Sequence, residues 1–366
     1  MLIFLESRNN KINARNSIKW QRRLKMVQGK IIEISKLGSQ WQTSDPYLFC
    51  VHHKDAYPKG NDKMGPDASL EGRNIGSDFQ NKDGWNMYHG DTVPGFPQHP
   101  HRGFETVTIV LQGVVDHADS SGAAGRYGAG DVQWLTAGKG CNHTEMFPLI
   151  NKEKDNPLEL FQIWLNLPSK DKFVEPHYKM LWSEDIPVIQ SKDHNGKTST
   201  MRIISGSYKG IKSLKPSPNS WAGDENNHVS IWIIKMEPNA VIELPEVSPT
   251  LNRTIYFYSG ANINIDETSI ETYHRVKLAG DKTIEIKNGS KESYLLLLEG
   301  EPIGEPVVSY GPFVMTSEKE IQEAFADYRS TGFGGWPWSR DDFVHPKEKG
   351  RFAQYPDGTI EEKNTI

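Results

Sequence analysis

The chain is cut into short β-type runs. "TVTIVLQG", "VQWLTAG", "LELFQIWLNL", "VSIWIIKM", "TIYFYSG" and "ESYLLLLEG" are rich in Val, Ile, Thr, Tyr, Phe and Leu, and Gly, Pro, Asn or Asp set their bounds. β-Branched and aromatic side chains suit a pleated surface, and the bounding residues are those that turns demand. Runs of this length and spacing predict antiparallel sandwiches or barrels, an all-β chain. One stretch reads as a strong helix. In "TSEKEIQEAFADYRSTG", Ser317 and Glu320 form a capping box, Ile321, Ala324, Phe325 and Tyr328 share a face, and Gly332 is the terminator. The next stretch, "GFGGWPWSRDDFVHPKEKGRFAQYPDG", has no period. Its Trp and Phe content predicts a strap packed on a domain, because free tails are poor in such residues.

The 366 residues allow two domains, each with its own core. A faint internal repeat supports that division. "PQHPHRGFETVTIVLQGVVDHAD" (97–119) lies over "LPEVSPTLNRTIYFYSGANINID" (244–266), with Gly113 on Gly260, and "AGDVQWLTAG" (129–138) falls on "AGDKTIEIKN" (279–288). Two copies of one β-domain are expected, the first over 26–168, the second over 169–330 and ending in the helix, with 331–366 as the packed tail. Residues 1–25 are basic and Asn-rich and read as a disordered extension, with Met26 as the working start. Their positive charges come after the short apolar start, the reverse of a secretory signal.

Bulk properties narrow the partners. A formal charge of −5 argues against a dedicated nucleic-acid binder, which carries a basic face. No apolar stretch approaches the roughly 20 residues of a membrane span. Cys50 and Cys141 cannot build a disulfide framework, so a reducing, cytoplasmic setting is expected.

"HPHRGFETVTIVLQG" then raises a chemical question. Residues two apart on a strand face the same side. On one continuous strand His99, His101, Glu105, Val107, Ile109 and Leu111 share a parity, so two imidazoles and a carboxylate stand on the face that the branched residues bring to the core. Buried imidazoles and carboxylates need partners, and a metal ion serves both. "GKGCNHTEM" supplies a second pair, His143 and Glu145, again two apart. Three neutral imidazoles and a carboxylate form a mixed N/O set suited to Fe, Mn, Ni, Cu or Zn, and an octahedral ion would keep two open positions.

The segments "FPQHPHRGFETVTIVLQG", "HADSSG", "GAGDVQWLTAGKG", "HTEM" and "LELFQIWLNLP" resemble the pirin family of the cupin superfamily, densely over 85–180. That resemblance implies two cupin barrels face to face and one divalent transition metal per chain, iron first, in the N-terminal barrel. His99, His101, His143 and Glu145 are the implied ligands, with Glu105 left behind them and kept as an alternate ligand. By the repeat, His99 falls on Glu246, His101 on Ser248, His143 on Ser293 and Glu145 on Leu295, so the second barrel is expected to hold no metal.

The resemblance further implies a quercetin 2,3-dioxygenase-like activity. A flavonol and O₂ are the substrates, Glu145 is the general base, and a depside and carbon monoxide are the products. Val107, Ile109, Leu111 and Trp134 are expected to wall the pocket, with Phe96 and Met146 at its rim and His89 on the approach. His117 is expected behind the ligands or at the surface. Of the adjacent His52 and His53, one is expected to face solvent. The alternative function is an iron-containing, redox-sensing regulator that binds a protein partner. A monomer is expected.

Overall fold

The computed structural model describes residues 29–363, so the reading of residues 1–25 lies outside it. Strands dominate, as the punctuated runs predict, and Glu318–Thr331 is the α-helix among the described residues. The structure divides into two compact units.

The unit that carries the histidine motifs comprises, of the described residues, 37–188, 202–232 and 300–363. Its first sheet runs in the order His177–Leu181, Val132–Thr136, Phe104–Gln112, Leu158–Asn166, Tyr47–Asp55, Gln40–Trp41. Its second runs Ile360–Glu362, Phe352–Gln354, Ala124–Gly128, Val114–Asp119, Cys141–Met146, Gly95–His101. Val110, Leu135 and Leu160 of the first sheet and Val115, Tyr127 and Cys141 of the second share one buried cluster. Closing two antiparallel sheets over such a core gives a barrel whose alternate side chains point inward.

The other unit comprises 189–201 and 233–299 together with the strand Ile31–Lys36. In its larger sheet, Ile31–Lys36, His274–Leu278, Asn252–Ser259, Ser293–Gly300 and Ser230–Met236 are successive neighbours. The smaller sheet runs Val241–Leu244, Ile284–Asn288, Asn262–Ile265, Thr268–Glu271. The two units repeat one strand order, as two copies of one β-domain require.

That order corrects the second block of the repeat. Phe104–Gln112 and Asn252–Ser259 hold equivalent places, as Gly113 on Gly260 requires. The neighbour of Asn252–Ser259 that matches Val132–Thr136 is His274–Leu278, before the second "AGD" rather than after it. The counterpart of Cys141–Met146 is therefore Ile284–Asn288, and Ser293 and Leu295 lie on the counterpart of Leu158–Asn166. Ile284–Asn288 and Val241–Leu244 read "IEIKN" and "VIEL", without histidine.

Two chain segments belong elsewhere than the sequence suggests. Ile31–Lys36, expected in the first barrel, pairs antiparallel with His274–Leu278. The helix, expected to close the second barrel, groups with the histidine-bearing unit. Its capping box is formed, Gly332 ends it at φ 56°, and Ile321 and Ala324 pack with Phe313, Met315 and Phe333. Arg102 Nη1 donates to Asp327 Oδ2 on this helix at 2.8 Å.

The aromatic tail is a strap, and part of it is sheet. Phe352–Gln354 pairs with Ala124–Gly128. Buried Arg126 chelates Asp116 at 2.7 and 2.8 Å and donates to the tail carbonyls of His345, Pro346 and Lys349. A bidentate guanidinium pair needs this second set of acceptors, which the strap supplies.

Gly103 breaks the histidine-bearing run in two. It sits at φ +87°, and a Cβ there would stand 2.0 Å from the Val314 carbonyl oxygen. The strand Gly95–His101 ends before it and Phe104–Gln112 begins after it, so "HPHRGFETV" is two strands in different sheets. Lys172 Nζ donates to the Gly103 carbonyl at 2.8 Å and pins the break. No helix among the described residues is long and apolar enough to cross a membrane.

Candidate metal centre

Gly95–His101 pairs antiparallel with Cys141–Met146, and the register places His99 opposite His143 and His101 opposite Cys141. The two-residue spacing puts His99 and His101 on one face, and the pairing brings His143 to them. Ring centroids lie 4.4 Å apart for His99–His143, 4.8 Å for His99–His101 and 5.0 Å for His101–His143. One ring nitrogen from each lies within 4.8 Å of the others.

The protonation pattern suits a cation. Burial pushes the His99 imidazolium down to about 4, and burial with the neighbouring histidines pushes His101 and His143 well below the ordinary value. The rings are neutral at pH 7, each with one lone pair. His99 Nδ1 donates to the Pro97 carbonyl at 2.9 Å and His101 Nδ1 to that of Pro312 at 3.3 Å, which leaves Nε2 of each as the acceptor. His143 is fully buried, and among the described residues neither of its ring nitrogens has a hydrogen-bond partner. Such orphaned nitrogens are costly unless something binds them, and a borderline metal ion fits the set.

Glu145 stands beside the cluster, its Oε2 3.9 Å from His143 Nε2. Its carboxylate is already engaged. Gln162 Nε2 reaches Oε2 at 2.9 Å, and Thr108 Oγ1 lies 2.9 Å from Oε1 and 2.5 Å from Gln162 Oε1. The Thr108 hydroxyl has one hydrogen for two oxygens, so the ring of three side chains closes fully when Glu145 carries a proton. Burial pushes Glu145 above the usual carboxylate range, in the same direction.

A cavity of about 200 Å³ opens on the cluster. Its walls come from three neighbouring strands, with Phe49, Val51 and His53 on one, Leu160, Gln162 and Trp164 on the next and Thr108 on the third. Phe96 and Phe147 complete it.

The family model described as Pirin matches residues 36–165 and that of the Pirin C-terminal cupin domain matches 231–334. The pirin of Homo sapiens is 37% identical over 68% of this chain and 80% of its own length. The chain belongs to the pirin family. A pirin-like protein of Solanum lycopersicum is 36% identical over 75% of this chain and 90% of its own. The crystal structure of a quercetin 2,3-dioxygenase from Acinetobacter baumannii superposes with a TM-score of 0.66 at 26% identity, covering 84% of this chain and 99% of that one.

In this pirin the cavity wall differs from the expected one. Val107, Ile109 and Trp134 are buried on the opposite face of their sheet, and Thr108 faces the site. The turn at Gly103 resets the pleat, so the parity carried through from His101 fails beyond it. Glu105 goes with the opposite face. Its carboxyl accepts from Thr136 Oγ1 at 2.7 Å and Ser220 Oγ at 2.5 Å, and burial raises it to about 7. It is not placed to ligate. Phe96 lines the cavity as expected, whereas Met146 packs with Met64 and Val93, and Phe147 takes the rim.

His89 stands behind Phe96, ring centroids 5.7 Å apart, and donates from Nδ1 to the Gly76 carbonyl. His117 is buried, 5.6 Å from the His143 ring and bonded to Asp119. Cys141 packs in the core, its thiol raised by burial. Neither adjacent histidine is bare. His52 meets Glu159 at 2.9 Å, and His53 turns into the cavity. The roles of Thr108, Gln162 and His53 escaped the sequence reading. The one available signal was glycine between two β-type runs, a mark of a break.

Proposed function

We propose that this chain is a metal-dependent dioxygenase of flavonol type, with His99, His101, His143 and Glu145 holding one metal ion, iron, in the N-terminal barrel. The observation that carries the reading is the cluster of three neutral imidazoles beside an aromatic-lined cavity that His99 and His101 line, with neither ring nitrogen of the third, His143, hydrogen-bonded among the described residues. Likeness to a quercetin 2,3-dioxygenase over most of both chains supports the substrate class.

A transition metal at the cluster would supply Lewis acidity toward an aromatic hydroxyl. The chain does the rest. Phe49, Phe96, Phe147 and Trp164 offer faces and edges to a planar aromatic guest and exclude water. Glu145 is the base that takes the hydroxyl proton, and its ring with Thr108 and Gln162 has a place for that proton. Gln162 and Thr108 also hold the carboxylate in position during the transfer.

The test is the iron-loaded full chain with quercetin, followed by absorbance with and without air. Flavonol absorbance is expected to fall only in air, with carbon monoxide released. Binding without any O₂-dependent loss would overturn the enzymatic reading.

A further inference from the structure

A second polar device lines the same cavity. His53 lies on Tyr47–Asp55 opposite Leu160, on the face that carries Phe49 and Val51 into the cavity. Its Nδ1 is 2.8 Å from the Tyr88 hydroxyl, and that hydroxyl is 2.7 Å from Asp55 Oδ2. Asp55 is buried, and its Oδ1 accepts from both the backbone N–H and the side-chain amide of Asn86 at 2.9 and 3.0 Å.

The direction of this chain is fixed by proton count. An ionised Asp55 has nothing to donate, so Tyr88 donates to it. The Tyr88 oxygen then accepts from His53 Nδ1–H. A neutral His53 with its proton on Nδ1 keeps an unprotonated Nε2. No hydrogen bond to that nitrogen is found among the described residues. Burial pushes the His53 imidazolium down to about 4, so the ring is neutral at pH 7. Burial also raises Asp55, but the three donors from Asn86 and Tyr88 oppose it and hold the carboxyl at about 6, so it is mostly ionised at pH 7.

Tyr88 is held for this task at a cost. Its φ is +56°, a left-handed conformation unfavourable for a bulky residue. Its ring is clamped by stacking on Phe96 and by the edge of Phe147, which themselves line the cavity.

We propose that His53, fixed by Tyr88 and Asp55, is a specificity-determining residue of the cavity: its Nε2 accepts a hydrogen bond from a hydroxyl of the aromatic ligand remote from the three-histidine cluster. It selects polyhydroxylated aromatics over singly hydroxylated ones. The inference rests on the flavonol reading for its ligand class, but the tautomer is a property of the free protein. His53 thereby differs from Glu145, which is assigned the proton of the hydroxyl at the cluster.

The test is nitrogen NMR of the full chain, ¹⁵N-labelled at histidine and loaded with diamagnetic zinc, with quercetin as the probe. In the free protein His53 should show a protonated Nδ1 and an unprotonated Nε2, and Tyr88→Phe should mix the two tautomers. A protonated Nε2 in the parent would overturn the proposal. Saturating quercetin should shift the Nε2 resonance, and binding that leaves it unmoved would also overturn it. His53→Phe, which keeps a ring in the wall, should weaken quercetin about three- to tenfold, the worth of one neutral hydrogen bond. One monomethyl ether of quercetin should lose affinity for the parent yet not for His53→Phe, and equal penalties in both proteins would count against the proposal. If quercetin binds neither protein, the flavonol reading fails, and the tautomer measured in the free protein still decides the role of His53.

Discussion

His99 and His143 stand directly opposite each other across an antiparallel strand pair, their ring centroids 4.4 Å apart. Cross-strand register alone brings together two imidazoles distant in sequence. A packed core would not choose this contact, because His143 gains no hydrogen bond from it.

His143→Leu tests that choice. The variant should lose metal loading by elemental analysis. Without metal it should be at least as stable as the metal-free parent, because two unsatisfied buried nitrogens are removed, a gain of up to about 1–3 kcal/mol. Urea denaturation of the two metal-free proteins is the measurement. A clear loss of stability would mean that the nitrogens are satisfied by the protein.

At Glu145, ligand and base roles separate. Glu145→Asp shortens the arm and should keep most of the metal but lose most of the turnover. Glu145→Gln should hold the metal more weakly, on three histidines, and lose about 10²–10⁴-fold in rate. The loss should shrink at high pH, where the flavonol hydroxyl ionises unaided. Parent-like turnover by metal-loaded Glu145→Gln at neutral pH would remove Glu145 as the base.

Gly103→Ala should be severe for its size. The position combines φ +87° with backbone 2.0 Å from where a Cβ would lie. A destabilisation above about 2 kcal/mol is expected from strain and the forced shift. Metal content should fall with it, since His101 is two residues away. Denaturation midpoints and metal analysis read both effects, and a neutral variant would show that the break tolerates an ordinary residue.

Asp55 should write itself into the pH dependence of stability. Its carboxyl is raised from 3.8 to about 6, mainly by burial. Between those values the folded chain binds more protons than the unfolded one, so this group's contribution falls as pH rises from about 4 to about 6. The fall amounts to about 3 kcal/mol at most, at 1.36 kcal/mol per unit. Urea denaturation across that range should show it for the parent and not for Asp55→Asn, and identical slopes would contradict it.

Much of the site was legible locally. His99 with His101, and His143 with Glu145, are spaced by the period of a strand, and the three histidines do converge. The capping box of Ser317 and Glu320 and the stop at Gly332 formed where the sequence put them, because caps are satisfied within one turn. The cavity wall was not legible. Thr108 replaced Val107 and Ile109 because one glycine with positive φ reset the alternation, and parity is meaningful only along an unbroken strand.

The sequence by itself determined the β character of the chain, its repeated barrel and the spacing of the clustered histidines, since these depend on periods of a few residues. Tertiary structure alone decided where distant pieces went. It gave Ile31–Lys36 to the unit of residues 189–201 and 233–299, placed Gln162 and Thr108 on Glu145, sent Glu105 to Ser220 and Thr136, and aimed His53 into the cavity through Tyr88. Each of these placements depends on strand pairing and register between segments far apart in the chain. Their free energy is collected only when the sheets close over a shared core, so no local window of sequence carries it.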